Sequence, residues 1–185
     1  MNTRPTLLRT LAGGLAGGAA VCAALYATFA TWGGSKRGEV GMLFDPSTQS
    51  AKLIAIWKEI EPLPLLTSSP GLIIGSYFGF AIGYALVYRS VAAAWPVGIV
   101  NRVARLGSMI WLTGAFFEVQ GPVNLAHQPI RPTAIALAFW AVAALAEALA
   151  VVAVVDRGVW SGIATTGITG TAAVITDPGR INPTP

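Results

Sequence analysis

Apolar residues in this chain gather into long runs that short polar segments separate. A membrane-spanning helix needs about 20 mostly apolar residues, and four runs have that length. They cover about residues 10–32, 71–91, 104–123 and 133–155. Pro70 opens the second run, Pro122 closes the third and Pro132 opens the fourth, where a missing N–H costs little. The pattern predicts an all-α integral membrane protein, a four-transmembrane-helix bundle.

The first run has a second interpretation, as a signal peptide that is removed. Arg4 and Arg9 precede it, and Thr28-Phe29-Ala30 resembles a small-x-small cleavage site. Its apolar stretch of about 22 residues is longer than the core of a usual signal peptide. We therefore expect the first span to be retained.

The loop between the first two runs contains a pattern typical of a short amphipathic helix. Asp45 followed by Pro46 predicts a helix start, so that the helix covers about residues 46–60. Four apolar residues then recur at helical spacing: Leu53, Ile56, Trp57 and Ile60. This stripe fits a helix lying on the membrane surface. It fits equally a helix that packs on a partner subunit or on the ends of the spans.

The C-terminal segment, residues 158–185, is predicted to be an extended tail outside the four-helix domain of residues 1–157. Val159–Ile175 carries no charge, but its glycines and threonines have weak helix propensity and make a poor lipid-facing surface. A fifth crossing is the alternative, and it would place the two termini on opposite sides.

Composition supports the membrane assignment. Of the 185 residues, 54% are hydrophobic and 11% are charged, whereas soluble domains carry about 25% charged residues. The net charge of +4 is spread along the chain, so we expect a lipid bilayer as partner and no nucleic acid. The single cysteine, Cys22, excludes an intrachain disulfide and CxxC redox chemistry.

Basic residues favour one orientation in a cell membrane, with both termini in the cytoplasm. With the N-terminus inside, seven basic residues face the cytoplasm and five face outward. The inner set is Arg4, Arg9, Arg89, Arg102, Arg105, Arg157 and Arg180. The outer set is Lys36, Arg37, Lys52, Lys58 and Arg131.

Glycines predict how the helices pack, because close approach over small residues replaces the hydrophobic effect in lipid. The second run carries a glycine every four residues: Gly71, Gly75, Gly79 and Gly83. The first has two overlapping GxxxG pairs, Gly13 with Gly17 and Gly14 with Gly18. The third has Gly107, Gly114 and Gly121. These faces pack the chain's own helices together, or one of them docks a neighbouring membrane protein or a second copy.

Two carboxyl groups lie within the runs, where an ionisable residue costs roughly 2.5–3.5 kcal/mol on the insertion scale. Glu147 is near the middle of the fourth run, and Tyr84 reaches a similar depth on the second. Three roles remain open for Glu147: a hydrogen bond with Tyr84, a proton or cation site, or contact with a partner subunit. Glu118 lies about 13 Å from it in depth, too far for a shared metal or proton.

Glu118 also begins a polar turn that three prolines stiffen. The turn continues with Gln120, Asn124, His127, Gln128 and Arg131. It is the most site-like stretch of the chain, because binding residues concentrate on loops held by rigid elements. The alternative is a structural turn whose polar groups cap helix ends and whose Glu118 pairs with Arg131.

Several chemistries are excluded by what the chain lacks. One histidine cannot form a bis-histidine haem site or a histidine-rich zinc site. The HExxH, GxSxG and GxxxxGK[ST] motifs are missing, and we expect no metal, cofactor or catalytic residue. The leading hypothesis is a non-catalytic subunit or assembly partner of a membrane complex, in contact with other subunits or with itself. The alternatives are a proton- or cation-coupled transporter using Glu147 and Glu118, and an enzyme acting on lipid or quinone at the polar turn.

Overall fold

The computed structural model describes residues 5–34 and 40–157. Regular structure in this part of the chain is entirely helical, which confirms the predicted all-α class. Seven α-helices follow one another: α1 (Leu7–Leu25), α2 (Ala51–Lys58), α3 (Leu65–Ser68), α4 (Pro70–Val91), α5 (Ile99–Glu118), α6 (Asn124–Ala126) and α7 (Ile130–Val155). Wider π-helical stretches continue α1 over Tyr26–Gly33 and α5 over Val119–Val123. The predicted tail, residues 158–185, lies outside the described residues, as do Lys36 and Arg37.

Three helices of the described chain are long and apolar enough to cross a membrane: Leu7–Gly33, Pro70–Ala94 and Ile130–Val155. They correspond to the first, second and fourth predicted spans. The third is different, because α5 begins at Ile99 and so includes Asn101, Arg102 and Arg105 within its first two turns. These residues and Glu118 lower its mean hydropathy below that of a typical span.

Glycines of α1 allow it to approach two neighbouring helices. A Cβ on Gly13 would lie 2.7 Å from Val155 Cγ2, and one on Gly17 would lie 2.8 Å from Val151 Cγ2. Moving forward along α1 therefore means moving backward along α7. The matching neighbours on α4 are Ile82 for Gly14 and Phe78 for Gly18. Thus α1 runs antiparallel to both α4 and α7.

Helix α5 packs antiparallel against α7 in the same way. A Cβ on Gly107 would lie 3.2 Å from Leu145, and one on Gly114 would lie 3.2 Å from the Trp140 ring. The start of α1, the end of α4, the start of α5 and the end of α7 consequently share one end of the bundle. We call this the terminal end, and the opposite end, which carries the long loop, the loop end.

The core at the terminal end surrounds an arginine. Tyr88, Leu106 and Val151 are fully buried there, and the Arg102 side chain lies beside them with 6% of its surface exposed. Its guanidinium donates to Ala92 O at 3.2 Å and lies 3.4 Å from the Tyr88 hydroxyl. A buried charge of this kind is tolerated because its donors have partners.

The loop packs onto the loop end through α2. Ser50 caps α2, because its Oγ accepts from Leu53 N at 3.0 Å, and it donates to Ala126 O at 2.6 Å. The predicted start at Asp45 is instead a tight turn, in which Asp45 Oδ1 accepts from the Ser47 N–H and hydroxyl. A carboxylate can cap such a turn as readily as a helix, so the helix begins at Ala51.

Candidate functional site

Glu118 is the centre of a buried polar cluster at the loop end. It is the last residue of α5, with 6% of its surface exposed. Its Oε1 accepts from Gln128 Nε2 at 2.6 Å, and its Oε2 accepts from the Trp140 indole N–H at 3.2 Å. Hydrogen bonds to a carboxylate are shorter and stronger than neutral ones, so Gln128 fixes the position of the acid.

Gln128 connects Glu118 to the loop and to α7. Its Nε2 also donates to Thr133 Oγ1 at 3.2 Å, and its Oε1 accepts from Gln49 Nε2 at 3.3 Å. Gln49 Nε2 in turn donates to Leu43 O at 2.9 Å. We call Gln49, Glu118, Gln128, Thr133 and Trp140 the polar cluster. Its amide and indole N–H groups are all engaged by partners within the protein.

The backbone around His127 turns Gln128 inward. The short helix α6 ends at Ala126, and its C-cap His127 adopts the left-handed conformation at φ 52°, a common way to end a helix. The next residue donates its N–H to Pro122 O at 3.1 Å, which closes the turn. Helix α7 then begins at Ile130, and the Gln128 side chain lies between Glu118 of α5 and Thr133 of α7.

Only two of the predicted polar-turn residues come together. Glu118 and Gln128 are buried and bonded, whereas the other four are exposed to the surroundings: Gln120, Asn124, His127 and Arg131. Among the described residues, Gln128 and Trp140 take the place of Arg131 as hydrogen-bond partners of Glu118. The physical reason is that Arg131 faces outward on the first turn of α7.

Glu147 occupies a different place, inside the bundle between α7 and α1. It is 3% exposed, and a Cβ on Gly17 would lie 3.3 Å from its Cγ. Its Oε1 has no hydrogen-bond partner among the described residues. The expected partner, Tyr84, instead donates its hydroxyl to Thr113 Oγ1 at 2.6 Å. Trp140 and Glu147 are two turns apart on α7, about 10.5 Å by helical rise, so Glu147 and the polar cluster are separate sites.

A cavity of about 650 Å³ lies next to the polar cluster. Its walls come from the π-helical end of α1, the loop, α2, α3, α4, α5 and α7. Apolar and aromatic side chains dominate it, among them Phe29, Phe44, Trp57 and Ile74, while Glu118 and Gln128 form its polar wall. Leu53 and Trp57 of the predicted stripe line this cavity, whereas Ile60 is exposed. The loop helix thus packs partly on the ends of the longer helices.

The glycines of α4 contrast with those of α1. Among the described residues, built Cβ atoms on Gly71, Gly75, Gly79 and Gly83 would meet nothing within 4 Å. We call these four residues the open glycine face. On α1, by comparison, the built Cβ atoms of all four GxxxG glycines would lie within 3 Å of a neighbouring helix. Gly107 and Gly114 contact α7, and Gly121 is open.

Gln49 and Trp140 belong to the polar cluster, although the sequence pattern did not single them out. The position of Trp140 within an apolar run could have indicated a hydrogen bond, because a buried indole N–H usually finds a partner. Gln49 had no such signal, because its role depends on how the loop folds back over residues 79 positions further along the chain.

The chain was also compared with metal-binding arrangements and with known proteins. The described residues contain no group of three histidine, cysteine, aspartate or glutamate side chains placed to hold a metal ion. No protein-family profile, curated protein or solved structure matches the chain.

Proposed function

We propose that this chain is a non-catalytic subunit of a membrane complex, and that its open glycine face receives a transmembrane helix of a neighbouring membrane protein. The observation that carries the proposal is that none of the described residues lies within 4 Å of a Cβ built on any of the four glycines of α4. Each of the four glycines on α1, which has the same spacing, is in close contact with a helix of this chain.

Energetics favour an occupant for this face. A glycine in a helix interior is about 1 kcal/mol less favourable than alanine. Four glycines that face only lipid would therefore lower the stability of the helix by roughly 4 kcal/mol, with no contact to offset the loss. Small residues at a helix–helix interface offset this by letting two backbones approach closely. A groove of about 520 Å³ follows the face, walled by Phe80, Tyr84 and Val87. These side chains would pack against a helix that lies in the groove.

We also propose that α5 crosses the membrane, which gives the chain four crossings together with the three long apolar helices. Helix α5 is 20 residues long, which by helical rise is about 30 Å, the thickness of a bilayer core. Its two buried ionisable residues, Arg102 and Glu118, have partners inside the protein, so neither needs to face lipid. The terminal end carries Arg9, Arg89, Arg102 and Arg105, and the positive-inside rule assigns it to the cytoplasm.

Substitutions on the open glycine face test the docking role without disturbing the fold. Gly79→Leu with Gly83→Leu adds bulk where no described residue lies within 4 Å of a built Cβ, so the chain should still fold. Ala19→Leu is the matched control, because Ala19 is exposed on α1, away from this face. We expect purification in mild detergent to recover a stoichiometric membrane partner with the native chain and the control, and not with the double variant.

Two outcomes would contradict the docking role. One is an unchanged partner yield with the double variant, and the other is a native chain that runs alone. A second copy as the partner would appear as a dimer by mass, and it would retain the docking surface while replacing the neighbouring protein.

A second candidate function, transport coupled to a proton or cation, is favoured by one observation. Glu147 is buried with an oxygen that lacks a partner among the described residues, and leaving a buried polar atom unsatisfied costs about 1–3 kcal/mol. A proton or cation bound there would satisfy it. Glu147→Gln should then abolish an ion flux in liposomes, whereas an unchanged flux, or none in the native protein, excludes this role.

A further inference from the structure

The cavity beside Glu118 has the size and composition of a small-molecule site. Its volume of about 650 Å³ is within the roughly 300–1,000 Å³ of typical ligand pockets. Such pockets are mostly apolar with a few polar groups that orient the ligand. Here the apolar walls include Phe29, Leu43 and Trp57, and the polar wall is Glu118 with Gln128.

The hydrogen bonds of the polar cluster determine what this wall can recognise. Both Nε2 protons of Gln128 are used, by Glu118 and Thr133, and the Trp140 indole proton is also bonded to Glu118. A carboxylate offers about four acceptor positions, and the described residues fill two of those of Glu118. The wall therefore has acceptor capacity to spare and no spare N–H donor.

Charge narrows the class of ligand further. Of the described residues that line the cavity, Glu118 is the one acidic side chain, and lysine and arginine are missing from the lining. A carboxylate or phosphate head would face an acid with no neutralising cation among the described lining residues. An ester or ketone would find no free donor beside Glu118, because the other donors of the lining, the Tyr26 and Tyr77 hydroxyls and the Trp57 indole, belong to different elements of the cavity. An alcohol or an amine supplies the donor that Glu118 can accept.

We propose that this cavity binds a long-chain amphiphile whose head is a hydrogen-bond donor, an alcohol or a primary amine. The apolar chain lies among the aromatic walls, and the head donates to Glu118. Leu53 and Trp57 of the loop helix α2 also line the cavity. A bound amphiphile would therefore contact both the loop and the helix bundle.

Cys22 provides a direct measurement, because it is the only cysteine of the chain and lines the cavity. The full chain in nanodiscs is treated with N-ethylmaleimide, and alkylation is followed by intact mass. The probes are oleyl alcohol, oleylamine and methyl oleate, which share one chain and differ in the head. At about ten times its Kd, a bound probe leaves about a tenth of the sites free and slows alkylation about tenfold.

We expect both donor probes to slow alkylation in a saturable way, and methyl oleate to leave its rate unchanged. Ala30→Phe should remove the protection, because Ala30 lines the cavity and a phenyl ring would fill it. Ala27→Phe is the control, since Ala27 is exposed on the same π-helical stretch and outside the lining. Equal protection by methyl oleate, protection by none of the probes, or full protection in Ala30→Phe would each overturn the proposal.

Discussion

The hydrogen bond between Glu118 and Gln128 should be among the strongest side-chain interactions of this protein. It joins a carboxylate and an amide at 2.6 Å, and both side chains are almost fully buried, at 6% and 7% exposure. Hydrogen bonds to charged groups contribute about 1.5–3 kcal/mol, whereas side-chain hydrogen bonds inside membrane proteins average about 0.6 kcal/mol. Because this one is short, involves a carboxylate and is shielded, we expect a coupling of about 1.5 kcal/mol or more.

A double-mutant cycle measures that coupling. Glu118→Met and Gln128→Met keep the side-chain volume similar while removing the polar atoms. Gln128→Met alone also breaks the bonds to Thr133 and Gln49, so it should lower the free energy of unfolding by about 3–5 kcal/mol. The cycle subtracts these shared losses and isolates the pair.

Unfolding is followed by tryptophan fluorescence in mixed micelles as denaturing detergent is added. A matched neutral pair is Tyr84 with Thr113, also joined at 2.6 Å, and the cycle of Tyr84→Phe with Thr113→Val should give about 0.6 kcal/mol. A Glu118–Gln128 coupling no larger than that of the neutral pair would refute the argument that burial and charge strengthen this bond.

Three other predictions follow from single contacts. Gly18→Leu should prevent folding, measured as loss of a monodisperse elution peak, because even a Cβ there would overlap the Phe78 ring. Normal folding would contradict the packing of α1 on α4. Arg102→Met should lower the thermal midpoint of unfolding, since the guanidinium donates to Ala92 O, and an unchanged midpoint would count against its structural role. The Ser47 hydroxyl and N–H lower the pKa of Asp45 from its ordinary 3.8, so this turn is stabilised above that pH and the effect is lost as pH falls through the lowered pKa. In an NMR titration Ser47→Ala should raise the pKa of Asp45 toward 3.8, and an unmoved titration would disprove the assignment.

The sequence predicted the helices well, because a long apolar run has few other ways to satisfy its backbone hydrogen bonds. The bounds of the second run, 71–91, nearly coincide with α4, Pro70–Val91, since Pro70 sets its start. The glycines of α1 and of α4 both repeat at four-residue spacing, and either pattern predicts a helix-packing face. Only the position of each helix among its neighbours decides that Gly17 is enclosed and Gly79 is open.

The polar contacts were harder to predict, because each depends on a choice between chemically similar partners. Glu118 had Gln128 and Arg131 within reach along the chain, and the left-handed residue His127 turns the amide inward. Ser50 and Asp45 are both good helix caps, and only the local fold assigns the cap to Ser50. Such decisions rest on the backbone conformation of single residues, such as the left-handed φ of 52° at His127, which composition and spacing do not encode.

The enclosed face of α1 has a consequence for how the protein is made. Gly13 and Gly17 contact α7, which leaves the ribosome well after α1. Synthesis proceeds at about 5–20 residues per second, so α1 must wait several seconds for the helix that covers it. During that interval its glycine face is open to other helices. The packing of α1 therefore depends on α7, and a truncation before α7 should leave α1 exposed to membrane quality control.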